Sequence, residues 1–376
     1  MKVGVGVSSE RISLQAGMQA AAEAVAAAGP TKLAIVAVTS NYDCAAVLAG
    51  AQSILGDIKF VGASCAGLFT PHGLFERAVG ILTLSGEDIS ANTVLTDGRQ
   101  VGAKTAGQQT GQGLLANGAT SGTIIAFADS FDGRGTQLLD ALYDSAGPEF
   151  SYFGGGTGDS RKFSNSFQLT EQGLFTQGVS TALIRGCKTF NTVGHGWIPT
   201  GSPLVVTRAE DRVVFELDGR AAFDVYAERL GGVSGDSFAE TAMRHPLGIC
   251  YGPDRFIVRD PLQIVHGNAL QFISSVPNQA VAYIMKPKDD PAFTVASGLA
   301  QQALGEIAEP RFALISYCVS RSTLLGSRYK DEINSLIGPF VRQVPFLGLL
   351  ASGEIGPYSG VPQFHNKSIS LLMGGK

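Results

Sequence analysis

Tyr152-Phe153-Gly154-Gly155-Gly156-Thr157-Gly158-Asp159 decides how the rest of the chain is read. Apolar residues run straight into three consecutive glycines. Glycine tolerates positive φ and lets another group approach the backbone closely. A buried strand is therefore expected to end here in a tight loop whose amides face a cavity. A P-loop or a dinucleotide-binding glycine loop opens into a helix, whose N-terminus holds phosphate. Here the loop is followed by Arg161-Lys162-Phe163-Ser164-Asn165, a polar hairpin-like segment and the strand Val179-Ser180-Thr181-Ala182-Leu183-Ile184. Strand, loop, strand argues against nucleotide binding. It leaves either a loop that lines a pocket or a tight crossover.

Outward from this stretch the same order of elements recurs. Before it come a helix at 105–116, the strand Thr123–Ala128 and a helix at 135–146 with Leu138, Leu139 and Leu142 on one face. Near the amino end, an Ala-rich helix from Ile12 to Ala28 closes at Gly29-Pro30. The continuous apolar run Leu33–Val38 reads as a strand buried on both faces. Asp43 caps a helix to Leu55. Strands at 58–62 and 78–84 flank the small-residue loop Ala63-Ser64-Cys65-Ala66-Gly67. Near the carboxyl end come a helix at 293–308, a strand at 312–317, a helix at 330–337, the strand Val344–Gly348, a loop and a strand at 368–373. Phe60, Gly62 and Gly67 repeat the spacing of Phe346, Gly348 and Gly353. The reading is one unit, helix–strand–helix–strand–loop–strand, used three times. Equivalent loops then stand at the sheet ends that ligands favour in α/β proteins.

Between the second and third units the texture changes. A hairpin at 204–217, a helix from 218 or 219 to Leu230, and four short strands near 246–250, 255–259, 269–273 and 280–285 form an antiparallel insert. The fold class is α/β (α+β): layered mixed sheets flanked by helices, with the antiparallel insert in the second half. A boundary at 219–233 divides the chain into 1–218 and 219–376.

The bulk composition narrows the function classes. The chain has 376 residues, with 44% hydrophobic and 16% charged, which suits a large core and two domains. Net charge is −4 with no basic block, which opposes nucleic-acid binding. No apolar run approaches the length of a spanning helix, and the amino terminus lacks a signal-peptide core. The five cysteines are scattered, with no Cys-x-x-Cys. No zinc or redox motif is present, and a reduced, cytoplasmic compartment is expected.

Several residues could carry chemistry. Gly62-Ala63-Ser64-Cys65-Ala66 approximates a nucleophile elbow, but an elbow needs a helix next, and Pro71-His72-Gly73 follows instead. Cys65 is either a thiol activated by a nearby positive group or a small buried residue. Glu354, Tyr358, His365 and Asn366 stand together in an apolar region. They form a pocket floor or tie a loop by hydrogen bonds. Arg244 could grip a ligand carboxylate, with His245 beside it; otherwise they are a surface arginine and a satisfied core histidine. Arg259-Asp260 reads as a local ion pair.

Phe60–Gly67, Phe153–Asp159, His245-Pro246-Leu247-Gly248-Ile249, Val258-Arg259-Asp260-Pro261, Gly353-Glu354-Ile355-Gly356-Pro357 and Phe364-His365-Asn366-Lys367-Ser368 together resemble the FIST domain (F-box and intracellular signal transduction). The resemblance covers nearly the whole chain, an N-terminal-like half and a C-terminal-like half. It implies a non-enzymatic sensory module that binds a small molecule, such as an amino acid, between the halves. The partner would be a separate signalling protein, a histidine kinase or a cyclic-di-GMP enzyme, since no such segment is appended. The implied ligand-binding set is Ser64, Cys65, Gly154, Gly155, Gly156, Asp159, Arg244, His245, Glu354, Tyr358, His365 and Asn366. Some family members are haem proteins that sense nitric oxide. The five histidines, His72, His195, His245, His266 and His365, show no spacing that marks an axial ligand or another metal site, so haem enters by the resemblance alone. A hydrolase using Ser64 or Cys65 is the enzymatic alternative.

Overall fold

A computed structural model describes residues 1–129, 133–158, 166–288 and 291–376, the side chains of the last segment from 295 onward. The first unit runs β1 (Lys2–Ser8), α1 (Ser13–Ala28), β2 (Thr31–Thr39), α2 (Cys44–Leu55), β3 (Lys59–Cys65), β4 (Leu68–Thr70), β5 (Gly73–Phe75) and β6 (Val79–Ser85). The second runs β7 (Ser90–Thr96), α3 (Gly98–Val101), α4 (Ala103–Leu115), β8 (Gly122–Asp129), α5 (Gly135–Ala146), β9 (Phe150–Thr157), β10 (Gln168–Thr170), β11 (Gly173–Phe175) and β12 (Val179–Arg185). β13 (Lys188–Gly194) opens the third unit, which then breaks off for the insert.

The insert holds β14 (Trp197–Glu210), β15 (Val213–Leu217), β16 (Arg220–Ala221), α6 (Ala222–Arg229), α7 (Phe238–Arg244), β17 (Leu247–Gly252), β18 (Arg255–Arg259), β19 (Pro261–Val265), β20 (Ala269–Phe272) and β21 (Ala280–Pro287). The third unit resumes with α8 (Pro291–Glu306), β22 (Pro310–Cys318), α9 (Val319–Leu325), α10 (Tyr329–Ile337), β23 (Phe346–Ala351), β24 (Glu354–Tyr358), β25 (Val361–His365) and β26 (Ile369–Gly375). Among the described residues, no helix is long and apolar enough to cross a membrane.

Local chemistry accounts for the elements. Asp43 caps α2, its Oδ1 accepting from Ala45 N at 3.0 Å and Ala46 N at 3.1 Å. The alanines of α1 (Ala16, Ala20, Ala21, Ala24) are fully buried, because small side chains let the helix lie close on its sheet. The inner strands are buried almost throughout, as at Val79–Ser85. This is the reason they read as continuous apolar runs.

The three units exchange hairpins. The sheets have the orders β1-β6-β2-β3-β10-β11, β7-β12-β8-β9-β24-β25 and β13-β26-β22-β23-β4-β5. Each sheet takes four strands from its own unit and its last two from another: the first unit donates to the third sheet, the second to the first, and the third to the second. In each of these three sheets the central pair is parallel and the remaining pairs are antiparallel. The inner faces share one core, in which Leu33, Ile35 and Val61 meet Phe127 and Phe153 and also Phe312, Leu314 and Leu349. Helices cover the outer faces with separate clusters. The insert packs its own core around Tyr226, Phe238 and Phe272.

The units meet at the ends of β3, β9 and β23 in a pseudo-threefold ring. Ala66 N donates to Leu350 O (3.0 Å), Ser352 N to Gly156 O (3.0 Å) and Gly158 N to Ser64 O (3.1 Å). A second set runs the other way: Leu350 N to Gly67 O (2.8 Å), Gly156 N to Gly353 O (2.9 Å) and Ser64 N to Phe167 O (2.9 Å). The glycine stretch therefore differs from the sequence expectation. β9 does not end at Phe153; it continues through Gly154, Gly155 and Gly156 to Thr157. The glycines serve close approach between strands. A Cβ on Gly154 would overlap Ala126 O, and one on Gly155 would overlap Ser316 Oγ. The hairpin β4–β5 was not legible as such, because its strands are three residues each. The helices α7 and α9, seven residues each, were also missed.

A valine at Gly154 must push two paired strands apart. Gly154→Val is expected to lower unfolding stability by about 2–4 kcal/mol in urea titration. Gly298→Ala, on α8 with open space around it, should instead stabilise by about 0.5–1 kcal/mol. Equal effects at the two positions would contradict the close-approach account.

Candidate functional site

The pseudo-threefold provides an internal comparison. Thr39, Asp129 and Cys318 are equivalent: each donates its backbone N–H across to the residue before the unit's last strand, to Ala78 O (3.1 Å), Gly178 O (3.0 Å) and Ser368 O (3.1 Å). Leu68, Gln168 and Glu354 open the equivalent hairpins. The first unit fills these places with Thr39, Leu68 and Ala78. The second builds a buried polar chain: Ser166 Oγ donates to Asp129 Oδ1 (2.7 Å), Gln168 Nε2 to Thr157 Oγ1 (2.6 Å), and Gly178 N to Gln168 Oε1 (2.8 Å). The third carries buried charge.

In that third unit Glu354 is fully buried. Its Oε2 accepts from Ser368 N (3.2 Å) and Ser368 Oγ (2.6 Å). Its Oε1, Asn366 Oδ1 and Ser316 Oγ are buried and have no hydrogen-bond partner. Burial pushes the Glu354 carboxyl up to about 8, against the opposing hydrogen bonds from Ser368 and Cys318. Burial also raises the Cys318 thiol to about 12, helped by the charges of Glu354 and Asp260. Cys318 Sγ accepts from Lys367 N at 3.2 Å. That contact helps hold Lys367 at φ 54°, a region unusual for a side chain of this size.

Lys367 joins the insert to the third unit. It is fully buried, with Nζ 3.1 Å from Asp260 Oδ2, 3.0 Å from Met243 Sδ and 5.8 Å from the Trp197 ring centre. The local Arg259–Asp260 pair expected from the sequence is not formed. Asp260 pairs with Lys367, while the buried Arg259 donates to Ser275 O (2.7 Å), Phe364 O (2.9 Å) and Val258 O (3.3 Å). Adjacent strand residues point to opposite faces, so neighbours in sequence seldom meet. Burial raises the Asp260 pKa, and Lys367 opposes the rise.

An open pocket of about 350 Å³ lies against this cluster, bordered by His195, Gly196, Trp197, Arg244, Pro287, Lys288, Arg321, Leu324, Leu325 and Arg328. Arg321 ties pocket and cluster together. It forms a buried two-point pair with Glu332, which also accepts from Tyr317 OH (2.5 Å). The same guanidinium donates to His195 O (2.5 Å) and Lys367 O (3.2 Å).

The residues singled out in the sequence fall in several places. Ser64 and Gly154–Gly156 lie in the strand-end ring. Ser64 Oγ accepts from Phe167 N at 2.9 Å. Cys65 is buried with Sγ 3.6 Å from Val38 O, and burial pushes its thiol far up. β3 leads into a hairpin, so the strand–turn–helix context of a nucleophile elbow is missing. Glu354 pairs with Gly155 on one side and His365 on the other, so the glycine strand and the closing polar group do come together. Asn366 follows. Tyr358 stacks edge-on against Tyr251, its hydroxyl buried without a partner. Arg244 borders the open pocket, whereas His245 Nδ1 lies 3.2 Å from Met285 O. Asp159 lies outside the described residues. Lys367, Arg321, Glu332, Trp197 and Lys288 were missed. The one available signal was charge placed directly after an apolar strand, as in Cys318-Val319-Ser320-Arg321.

Four of the five histidines, His72, His195, His266 and His365, do not fit a haem site. His72 and His266 are exposed. His195 has both ring nitrogens engaged: Nδ1 accepts from Trp197 N (2.9 Å) and Nε2 lies 3.1 Å from Phe256 O. His365 is packed with Nε2 3.3 Å from Gly356 O. Burial lowers both, to about 4 for His195 and about 3 for His365. The pocket that His195 borders is lined by cations, whereas haem needs an apolar slot and an available ring nitrogen. Among the described residues there is also no group of three or more His, Cys, Asp and Glu suited to a metal ion.

Two measurements check the cluster. Lys367→Met leaves Asp260 buried without its partner and should cost about 3–5 kcal/mol of unfolding stability, with Lys367→Met/Asp260→Leu recovering most of it. Glu354 has a folded pKa of about 8, above the ordinary 4.5 of the unfolded chain. Its contribution to stability is therefore full at acid pH and falls as pH rises from about 4.5 through about 8. Parent protein should lose stability relative to Glu354→Gln across that window in denaturant titrations. Parallel curves would place the carboxyl's pKa in the ordinary range.

Comparison with known proteins gives the family. An uncharacterized protein of Mycobacterium tuberculosis strain H37Rv is 23% identical over 391 residues, covering 99% of both chains. An uncharacterized protein of Methanocaldococcus jannaschii is 27% identical over 221 residues, 54% of this chain and 42% of that one. Among solved structures, PurLQS from Thermotoga maritima aligns over 100% of this chain and 73% of its own at 8% identity and a TM-score of 0.22, a level from which no likeness of fold follows. The FIST N domain family matches residues 32–220 and the FIST C domain family residues 222–357. The chain belongs to the FIST family, whose domains are associated with small-ligand sensing in signalling.

Proposed function

We propose that this chain is a non-enzymatic cytoplasmic sensor that binds a small molecule between its two halves, 1–218 and 219–376, and alters its contact with a separate signalling protein. A histidine kinase or a cyclic-di-GMP enzyme is the class of partner. The observation that carries this reading is the pocket at His195, Trp197, Arg244, Lys288 and Arg321. Its walls come from both halves. Arg321, paired with Glu332, borders it, and behind Trp197 the Lys367–Asp260 pair fastens insert to third unit. A ligand seated there touches the elements whose relative placement those pairs fix, which is the coupling a sensor needs.

The remaining residues of the sequence-derived set, Ser64, Cys65, Gly154, Gly155, Gly156, His245, Glu354, Tyr358, His365 and Asn366, belong in this reading to the support behind the pocket. Covalent chemistry at Ser64 or Cys65 has no base within hydrogen-bond reach among the described residues, and both side chains are buried. Haem finds no fitting ligand at His72, His195, His266 or His365.

Calorimetric titration against amino acids and small organic acids tests the reading. Binding is expected for at least one class and should be lost in Leu324→Trp, which fills the pocket. Purified protein supplied with haem should show no Soret band. Fluorophosphonate and iodoacetamide should leave Ser64 and Cys65 unlabelled. A Soret band, or rapid labelling of either residue, would replace this reading with the haem or the hydrolase alternative.

A further inference from the structure

The pocket's chemistry narrows its ligand. Arg244, Lys288, Arg321 and Arg328 border it together with the His195 imidazole, and no carboxylate borders it among the described residues. Asp289 and Asp290, next in sequence after Lys288, lie outside those residues. Arg321 is matched by Glu332, and Arg328 has an interaction of its own. Arg244 and Lys288 are exposed, which leaves two long cationic side chains at the mouth. Arginine and lysine select carboxylate or phosphate oxygens through charge-assisted hydrogen bonds. Trp197, Pro287, Leu324 and Leu325 supply apolar wall. The indole N–H of Trp197 is buried with no acceptor, although a buried indole N–H ordinarily finds one. At about 350 Å³ the space is near the lower end of ligand sites, ~300–1,000 Å³, so it suits a metabolite-sized body.

We infer that the pocket takes a small organic anion, a carboxylate or phosphate on a compact apolar body. The anionic group sits between Arg244 and Lys288, and the body lies against Trp197, Leu324 and Leu325. The inference rests on the sensor reading, in that it concerns the same pocket, and it sharpens the ligand from amino acid to anion. A zwitterion brings an ammonium group that these neighbours repel. A neutral molecule leaves Arg244 and Lys288 unanswered.

Trp197 is the only tryptophan in the chain, so intrinsic fluorescence reports on the pocket directly. Phenylacetate, phenyl phosphate, phenylalanine, benzyl alcohol and inorganic phosphate can each be titrated into the full chain. Phenylacetate or phenyl phosphate should change the emission saturably, and more weakly as salt is raised. Phenylalanine and benzyl alcohol should bind about tenfold or more weakly, a difference of the size one charge-assisted hydrogen bond makes. Arg244→Gln and Lys288→Gln, both at exposed positions, should each weaken the anion about tenfold with unchanged melting temperature. Which anion binds more tightly separates a carboxylate site from a phosphate site. Tight binding of phenylalanine or benzyl alcohol would keep the pocket and overturn the anion. Equal binding of inorganic phosphate would overturn the apolar body. Silence from every compound, in fluorescence and calorimetry alike, would remove the pocket reading as well.

Discussion

The interaction on which the structure depends is the ring of backbone hydrogen bonds where β3, β9 and β23 meet. No unit completes its own sheet. Each ends in a strand whose edge would be open, and an open edge presents unpaired N–H and C=O groups. The hairpin donated by another unit covers that edge, and the ring at Ser64, Gly156 and Leu350 passes each chain from its own sheet to the next. Three four-stranded pieces thus become three six-stranded sheets around one apolar centre. The backbones at the ring must come nearly into contact, and this is the constraint that fills β9 with glycine.

A shared frame leaves each unit free to differ at its strand ends. The first unit closes with Thr39, Leu68 and Ala78, the second with a hydrogen-bonded polar chain anchored on Asp129, the third with Glu354, Cys318, Ser368 and two buried ion pairs. Buried ion pairs add little to stability against a well-packed apolar alternative, so the third unit is not the best-stabilised answer the frame permits. It is also the unit interrupted by the insert, and its charges fasten the two together: Lys367 reaches Asp260, and Arg321 reaches His195 O. The open pocket lies along that seam.

Much of the architecture was legible in the chain because its signals are local. Continuous apolar runs such as Leu33–Val38 marked doubly buried strands. The Asp43 cap marked α2, and the matched spacing of Phe60, Gly62, Gly67 with Phe346, Gly348, Gly353 marked a repeat. The elements that escaped were short. β4, β5, β7, β13, α7, α9 and the β24–β25 hairpin, which falls where a loop was expected, have strands or helices of three to seven residues each, too few for a period to establish itself.

The sequence by itself determined the class of fold, the threefold recurrence and the antiparallel insert. All of these follow from patterns within a dozen residues. Tertiary structure alone decided that the hairpins change sheets, that Gly154–Gly156 are strand rather than loop, that Asp260 pairs with Lys367 and not with Arg259, and that Trp197, Arg244, Lys288 and Arg321 share a pocket. The physical reason is the same in each case. Edge pairing, burial of charge and the meeting of distant side chains are set by which surfaces come together, and residues more than a hundred positions apart carry no mark of that in their own neighbourhoods.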